Sequence, residues 1–147
     1  MKTCPITLEF ARTLYDDSDP VHDFDHVLRV LTLARRIAQA EGADLAVVET
    51  AALLHDIHRT TEDHAEEQID HAVLGAERAR HIIAEVATEA SSEFGVKVAH
   101  CIAAHRFRNS IDPETIEAKT VFDADKLDAI GAIGIARSGT RKRCGPQ

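Results

Sequence analysis

The run Ala51-Ala52-Leu53-Leu54-His55-Asp56-Ile57 decides how this chain is read. A histidine and a carboxylate stand side by side where the surrounding residues build a core. Burying an imidazole next to a carboxylate is costly unless something compensates them, and a bound metal ion is the strongest compensator. His26 and Asp125 occupy comparably apolar helical settings. His26 lines up with Val30, Leu33 and Ile37, while Asp125 follows Val121 and precedes Ala129 and Ala132. These residues point to a four-ligand metal site drawn from three helices.

Outward from that run, the pattern is helical. Apolar residues recur with a period of about 3.6, and no stretch alternates with period two. A short helix is expected from Ile6 to Tyr15, broken by Asp16-Asp17-Ser18-Asp19-Pro20. A second runs from Asp23 to Ala40 and ends at Gly42. Asp44 is the N-cap of a third, which carries His55-Asp56 at its C-terminal end. Further helices are expected over Ala65–Val86 and Glu89–His105, with a polar loop from Arg59 to His64. Asp112-Pro113-Glu114 reads as the start of the last helix, with a break near Lys119. The reading is all-α: one compact helical bundle over residues 1–137, followed by a disordered tail at 138–147 that lacks an apolar face.

At 147 residues the chain can bury a real core, built mainly of Ala, Leu, Ile and Val because aromatics are few and Trp is absent. Asp and Glu number 25 against 17 Lys and Arg, which argues against a basic nucleic-acid surface. A small phosphorylated substrate remains compatible, since a metal ion supplies positive charge locally. Cys4, Cys101 and Cys144 are scattered and odd in number, as reduced thiols would be. No run approaches about 18 apolar residues, and no signal-peptide core opens the chain. A soluble, cytoplasmic protein without a membrane partner is expected; composition leaves oligomerisation open.

Taken in order, His26, His55-Asp56 and Asp125 resemble the H…HD…D signature of the HD-domain metal-dependent phosphohydrolase superfamily. The resemblance extends from His22-Asp23-Phe24-Asp25-His26-Val27 through Ala52-Leu53-Leu54-His55-Asp56-Ile57 and His71-Ala72-Val73-Leu74-Gly75-Ala76 to Asp123-Ala124-Asp125-Lys126-Leu127. It implies an all-helical fold with a divalent metal (Mn, Mg, Co, Ni, Fe or Zn) held by His26, His55, Asp56 and Asp125. It also implies hydrolysis of a phosphate ester or phosphoanhydride, of a nucleotide or another small phosphorylated compound, by metal-activated water. Asp125 is preferred to Asp123 because it stands in the Ala-Asp-x-Leu context, and a helix points the two about 200° apart.

Arg29, Arg59, His105 and Lys126 are the substrate-binding candidates, with Arg137 a weaker one. His71 is a candidate for acid–base work or phosphate contact, and in some relatives histidines at positions like His71 and His105 hold a second metal. Several relatives carry a catalytic Glu three residues after the HD aspartate, where this chain has Arg59; Glu62 and Asp63 in the following loop are the alternatives as base. Two other readings stand beside hydrolysis: a di-iron oxygenase-like protein using His71 and His105, and a non-catalytic module that binds metal or nucleotide.

Overall fold

The computed structural model describes residues 3–15, 24–58, 70–106 and 109–143, the last of these as backbone alone beyond Gly131. Its elements are helices, with no strand among the described residues: α1 (Leu8–Thr13), α2 (Phe24–Glu41), α3 (Leu45–Leu54), α4 (His71–Val86), α5 (Ser92–Ala103) and α6 (Ile116–Arg143).

The starts of α1, α3, α4 and α5 are each set by a side chain that takes an otherwise unpaired amide. Thr7 accepts from Phe10 N–H, and Asp44 from Ala46 and Val47. Asp70 accepts from Ala72, and Ser91 from Phe94. The last helix departs from its expected start. Asp112 does not cap it; Thr115 Oγ1 accepts from Ala118 N–H at 3.1 Å. Asp112 lies too far upstream to reach the first free amides of a helix starting at Ile116. The break expected near Lys119 is also absent, since Lys119 N–H bonds to Thr115 C=O at 3.0 Å inside continuous helix. Backbone helix continues past Arg137 to Arg143, whereas residues 144–147 lie outside the described residues.

α3 occupies the centre. It is apolar on nearly every side, with Ala46, Val47, Val48, Thr50, Ala51, Ala52, Leu53 and Leu54 all buried, as a helix surrounded by others must be. α2, α5, α6 and α1 pack around it, and α4 pairs with α5. α2 contributes the stripe Val27, Val30, Leu31, Ala34 and Ala38. α6 contributes Ala118, Val121, Ala124 and Asp128, while Ala129 is exposed. The buried stripe of α6 is therefore rotated from the expected Val121–Asp125–Ala129 line, because the helical repeat carries the face from Val121 to Ala124 and on to Asp128. Cys4 and Cys101 are free thiols, and burial pushes Cys101 up to about 12. No described helix is long and apolar enough to cross a membrane.

α2 ends where Gly42 turns left-handed at φ 73° and Ala43 N–H reaches back to Ala38 C=O at 3.0 Å. Nothing lies within 4 Å of a Cβ built on Gly42, so its requirement is conformational rather than steric. Gly42→Ala is expected to cost about 1 kcal/mol, read as a lower urea midpoint at unchanged denaturant slope.

Candidate metal centre

Local sequence places His26, His55 and Asp56 at helix ends and in a turn, and Asp125 within α6, so that the four expected ligands converge. His55 caps the C-terminus of α3 in a helical conformation, and Asp56 follows in the turn. The His55 ring is fully buried, and its Nδ1 donates to Ala52 C=O at 2.6 Å. That bond puts the proton on Nδ1 and leaves an Nε2 lone pair facing inward. His26 stands in the first turn of α2 and donates Nδ1–H to Asp128 Oδ2 at 2.7 Å, which presents its own Nε2 to the same point.

Around that point the donor atoms are evenly spaced. His26 Nε2 lies 3.3 Å from His55 Nε2, 3.4 Å from Asp56 Oδ2 and 3.2 Å from Asp125 Oδ1. His55 Nε2 lies 3.5 Å from Asp56 Oδ2 and 3.4 Å from Asp125 Oδ1. Two nitrogen and two oxygen ligands of one divalent ion, bound at about 2.0–2.2 Å, stand about 3.0–3.6 Å apart. The donor set thus suits a first-row divalent cation in its chemistry, and His26, His55 and Asp56 stand at the mutual spacing one ion requires, with Asp125 close to both histidines. Three carboxylates (Asp56, Asp125 and Asp128) gathered around two imidazoles also make the pocket one that favours positive charge. Asp125 is the most exposed of the four, at 27% of its side chain, and marks the open side.

Asp56 has a second face. Its Oδ1 lies 3.6 Å from both His71 Nε2 and His105 Nε2, so the structure brings these two histidines against the same carboxylate that serves the first nest. Asp56, His71 and His105 form a second group close enough to hold an ion. Their ring nitrogens are set differently, however. His105 Nδ1 donates to Ile102 C=O, leaving Nε2 as the inward lone pair of the neutral ring. His71 Nδ1 instead lies 3.2 Å from Arg106 Nη1. A guanidinium only donates, so His71 Nδ1 accepts and its Nε2 carries the proton toward Asp56.

The charges follow from these contacts. Burial pulls His26 down, but the hydrogen bonds with Asp125, Asp56 and Asp128 outweigh it and lift the imidazole to about 10. Burial raises Asp56, yet His55, His105, His26 and His71 together hold it well below the usual carboxylate range. Asp125 is likewise lifted by burial and held low overall by His26 and His55. Burial is the leading influence on His71 and keeps it below the ordinary imidazole value, despite Asp56. In His105, Asp56 overcomes the effect of burial and the net shift is upward.

The remaining sequence candidates fall in several places. Arg29 donates through Nε to Asp128 Oδ1 at 2.8 Å and through Nη2 to Oδ2 at 3.4 Å, so it stands behind His26. Lys126 is exposed, with its ammonium 5.7 Å from the Phe122 ring. Asp123 is exposed, unlike Asp125. Arg59, Glu62 and Asp63 lie outside the described residues, as do His22 and His64, and the side chain of Arg137 is not among those described.

Two residues that matter were not singled out in the sequence. Asp128 sits one turn beyond Asp125, a spacing that could have placed both on one face. Arg106 directly follows His105 and reaches His71 across the α4–α5 pair; no local signal marks it.

Three outcomes follow. Because His26 is protonated at neutral pH in the metal-free protein, a bound divalent ion must displace its proton. Mn²⁺ affinity measured by calorimetry should therefore rise about tenfold per pH unit between roughly pH 6 and 8. Metal-free stability runs the other way. A raised histidine stabilises fully below its unfolded value of about 6.5 and loses that contribution as pH climbs toward 10, so the metal-free melting temperature should fall over that window. Asp128→Asn, which keeps the shape but removes the charge behind His26, should weaken Mn²⁺ binding about 10- to 100-fold.

Comparison with known proteins agrees with this geometry. Residues 23–130 match the family model for the HD domain. The chain is 38% identical over 138 residues to the uncharacterized protein YpgQ of Bacillus subtilis, covering 88% of this chain and 61% of YpgQ. It is 37% identical over 132 residues to ribonuclease Y of Chloroflexus aurantiacus, covering 90% of this chain and 22% of that protein. The chain thus spans about three fifths of one relative and about a fifth of the other. The crystal structure of a "predicted HD superfamily hydrolase" from an uncultured Thermotogales bacterium superposes with a TM-score of 0.69 at 39% identity, over 88% of this chain and 70% of that one. With a helical bundle like that of the solved neighbour, a family match over most of its length and a nest of histidines and aspartates at its centre, the chain belongs to the HD-domain superfamily.

Proposed function

We propose that this protein is a metal-dependent phosphohydrolase that cleaves a phosphate ester or phosphoanhydride in a nucleotide or another small phosphorylated compound. The observation that carries this reading is the nest in which His26 Nε2 and His55 Nε2 lie 3.3 Å apart and each stands 3.2–3.5 Å from Asp56 Oδ2 and Asp125 Oδ1. A divalent cation held there polarises a phosphoryl oxygen and acidifies water.

The chain's own residues divide the rest of the work. Asp128 holds His26 and is itself held by Arg29, so the imidazole stays aimed at the nest. The Ala52 carbonyl does the same for His55. His71, neutral and with its proton on Nε2, offers a hydrogen bond on the second face of Asp56, where a phosphoryl oxygen of the substrate would lie. His105 stands beside it at the same distance from Asp56. Arg106 adds a cation behind His71, favourable to an anionic substrate.

The proton on His71 Nε2 supports phosphate contact over ligation of a second ion, and so favours hydrolysis over a dinuclear oxygenase reading. The acidic balance of the chain, a formal net charge of −8, favours a small substrate over a nucleic-acid surface.

The test is a matrix of Mn²⁺, Mg²⁺, Co²⁺, Ni²⁺ and Zn²⁺ against nucleoside mono-, di- and triphosphates, scoring phosphate and pyrophosphate separately. Release that depends on metal is expected. Metal-loaded protein that releases neither product from any of them would count against the proposal. His55→Ala and Asp56→Ala should each abolish metal retention and reduce turnover to the level without enzyme, while far-ultraviolet circular dichroism stays helical. Full activity in either variant would exclude this ligand set.

A further inference from the structure

The end of α3 leaves carbonyls that no further helical turn can pair, and their partners can be traced one by one. Ala52 C=O accepts from His55 Nδ1 at 2.6 Å. Leu54 C=O meets only a long bond from Ile57 N–H at 3.5 Å. Leu53 C=O accepts from the Tyr15 hydroxyl at 2.7 Å, and Tyr15 lies 38 residues away in sequence, just after α1. The same hydroxyl also stands beside the Asp56 backbone, where the phenol oxygen can accept from the amide N–H while its own proton goes to Leu53. One oxygen thus stands between the residue two before His55 and the amide of Asp56.

Tyr15 is itself held on several sides. Its backbone N–H bonds to Arg12 C=O at 3.3 Å. Its ring meets that of Phe24 at 5.5 Å, tilted 60°, where α2 begins two residues before His26. The Arg12 guanidinium lies 4.9 Å over the other ring of that pair, Phe24. Burial, followed by the nearby Asp56 charge, holds the phenol well above its ordinary value.

We propose that Tyr15 is a positioning residue for the metal centre: its hydroxyl clamps the Leu53–Asp56 turn and so sets His55 Nε2 and Asp56 Oδ2 at the spacing one ion requires. Tyr15 touches neither the ion nor the substrate. It acts through the backbone of the two adjacent ligands, which makes the N-terminal segment part of the site although none of its described residues is among the nest's donors. The inference rests on the ligand nest and is independent of the bond that the protein cleaves.

The decisive comparison is Tyr15→Phe, which removes the hydroxyl and keeps the ring against Phe24, alongside Leu14→Ala, which trims the neighbouring packing and keeps the hydroxyl. Mn²⁺ binding is measured by calorimetry well below both melting temperatures. Tyr15→Phe is expected to weaken binding at least about tenfold, in line with other residues that orient metal ligands, while Leu14→Ala stays within about twofold of the wild type. An unchanged dissociation constant in Tyr15→Phe overturns the proposal, as does an equal loss in Leu14→Ala. Amide exchange followed by nuclear magnetic resonance gives a second readout on the unmodified protein. The Asp56 amide should exchange as slowly as the amides inside α3; exchange at the rate of a solvent-facing turn would also overturn it.

Discussion

The hydrogen bond from His55 Nδ1 to the Ala52 carbonyl is the contact on which the rest of the centre depends. A helix that stops in the middle of a protein leaves its last carbonyls without amide partners, and at that depth no solvent replaces them. Here one of those carbonyls is satisfied by a ring whose other nitrogen is thereby left as a lone pair. The need to finish α3 and the need for a neutral imidazole ligand are met by one contact. The nearly all-apolar sequence of α3 is what places that end in the core.

The other candidate ligands converge on that fixed nitrogen. α2 and α6 pack against each other and against α3, which brings His26 and Asp125 to the same point. Asp128 and Arg29 then complete a chain of contacts from the nest toward the surface, with the half-exposed Arg29 at its outer end. The result is a pocket rich in carboxylates and buried imidazoles that is electrostatically unbalanced without a cation. That imbalance shows in the metal-free protein as a histidine held to about 10. The proton there occupies the place of positive charge that a divalent ion takes over.

Much of this was legible in the sequence because it rests on short-range patterns. The helical period, the cap Asp44 and Gly42 after α2 are local signals, and the order His26, His55-Asp56, Asp125 is specific enough to name a family. What sequence could not supply was rotation and partnership. The inward stripe of α6 passes through Ala124 and Asp128, a difference of one position that only packing against α2 decides. Asp128 reads as one more acidic residue on a charged helix until His26 is placed beside it, 102 residues away in the chain. Tyr15 and Arg106 are hidden for the same reason, since each acts on a residue from a distant helix. The start of α6 was misread because Asp-Pro is a common helix opening, whereas Thr115 lies closer to the first free amide.

The account stands most directly on where an ion binds. Crystals grown with Mn²⁺ and measured for anomalous scattering should show one strong peak within about 2.3 Å of His26 Nε2, His55 Nε2, Asp56 Oδ2 and Asp125 Oδ1 together. A peak held instead by His71 and His105 alone, or the absence of any peak among these residues at saturating metal, would contradict it.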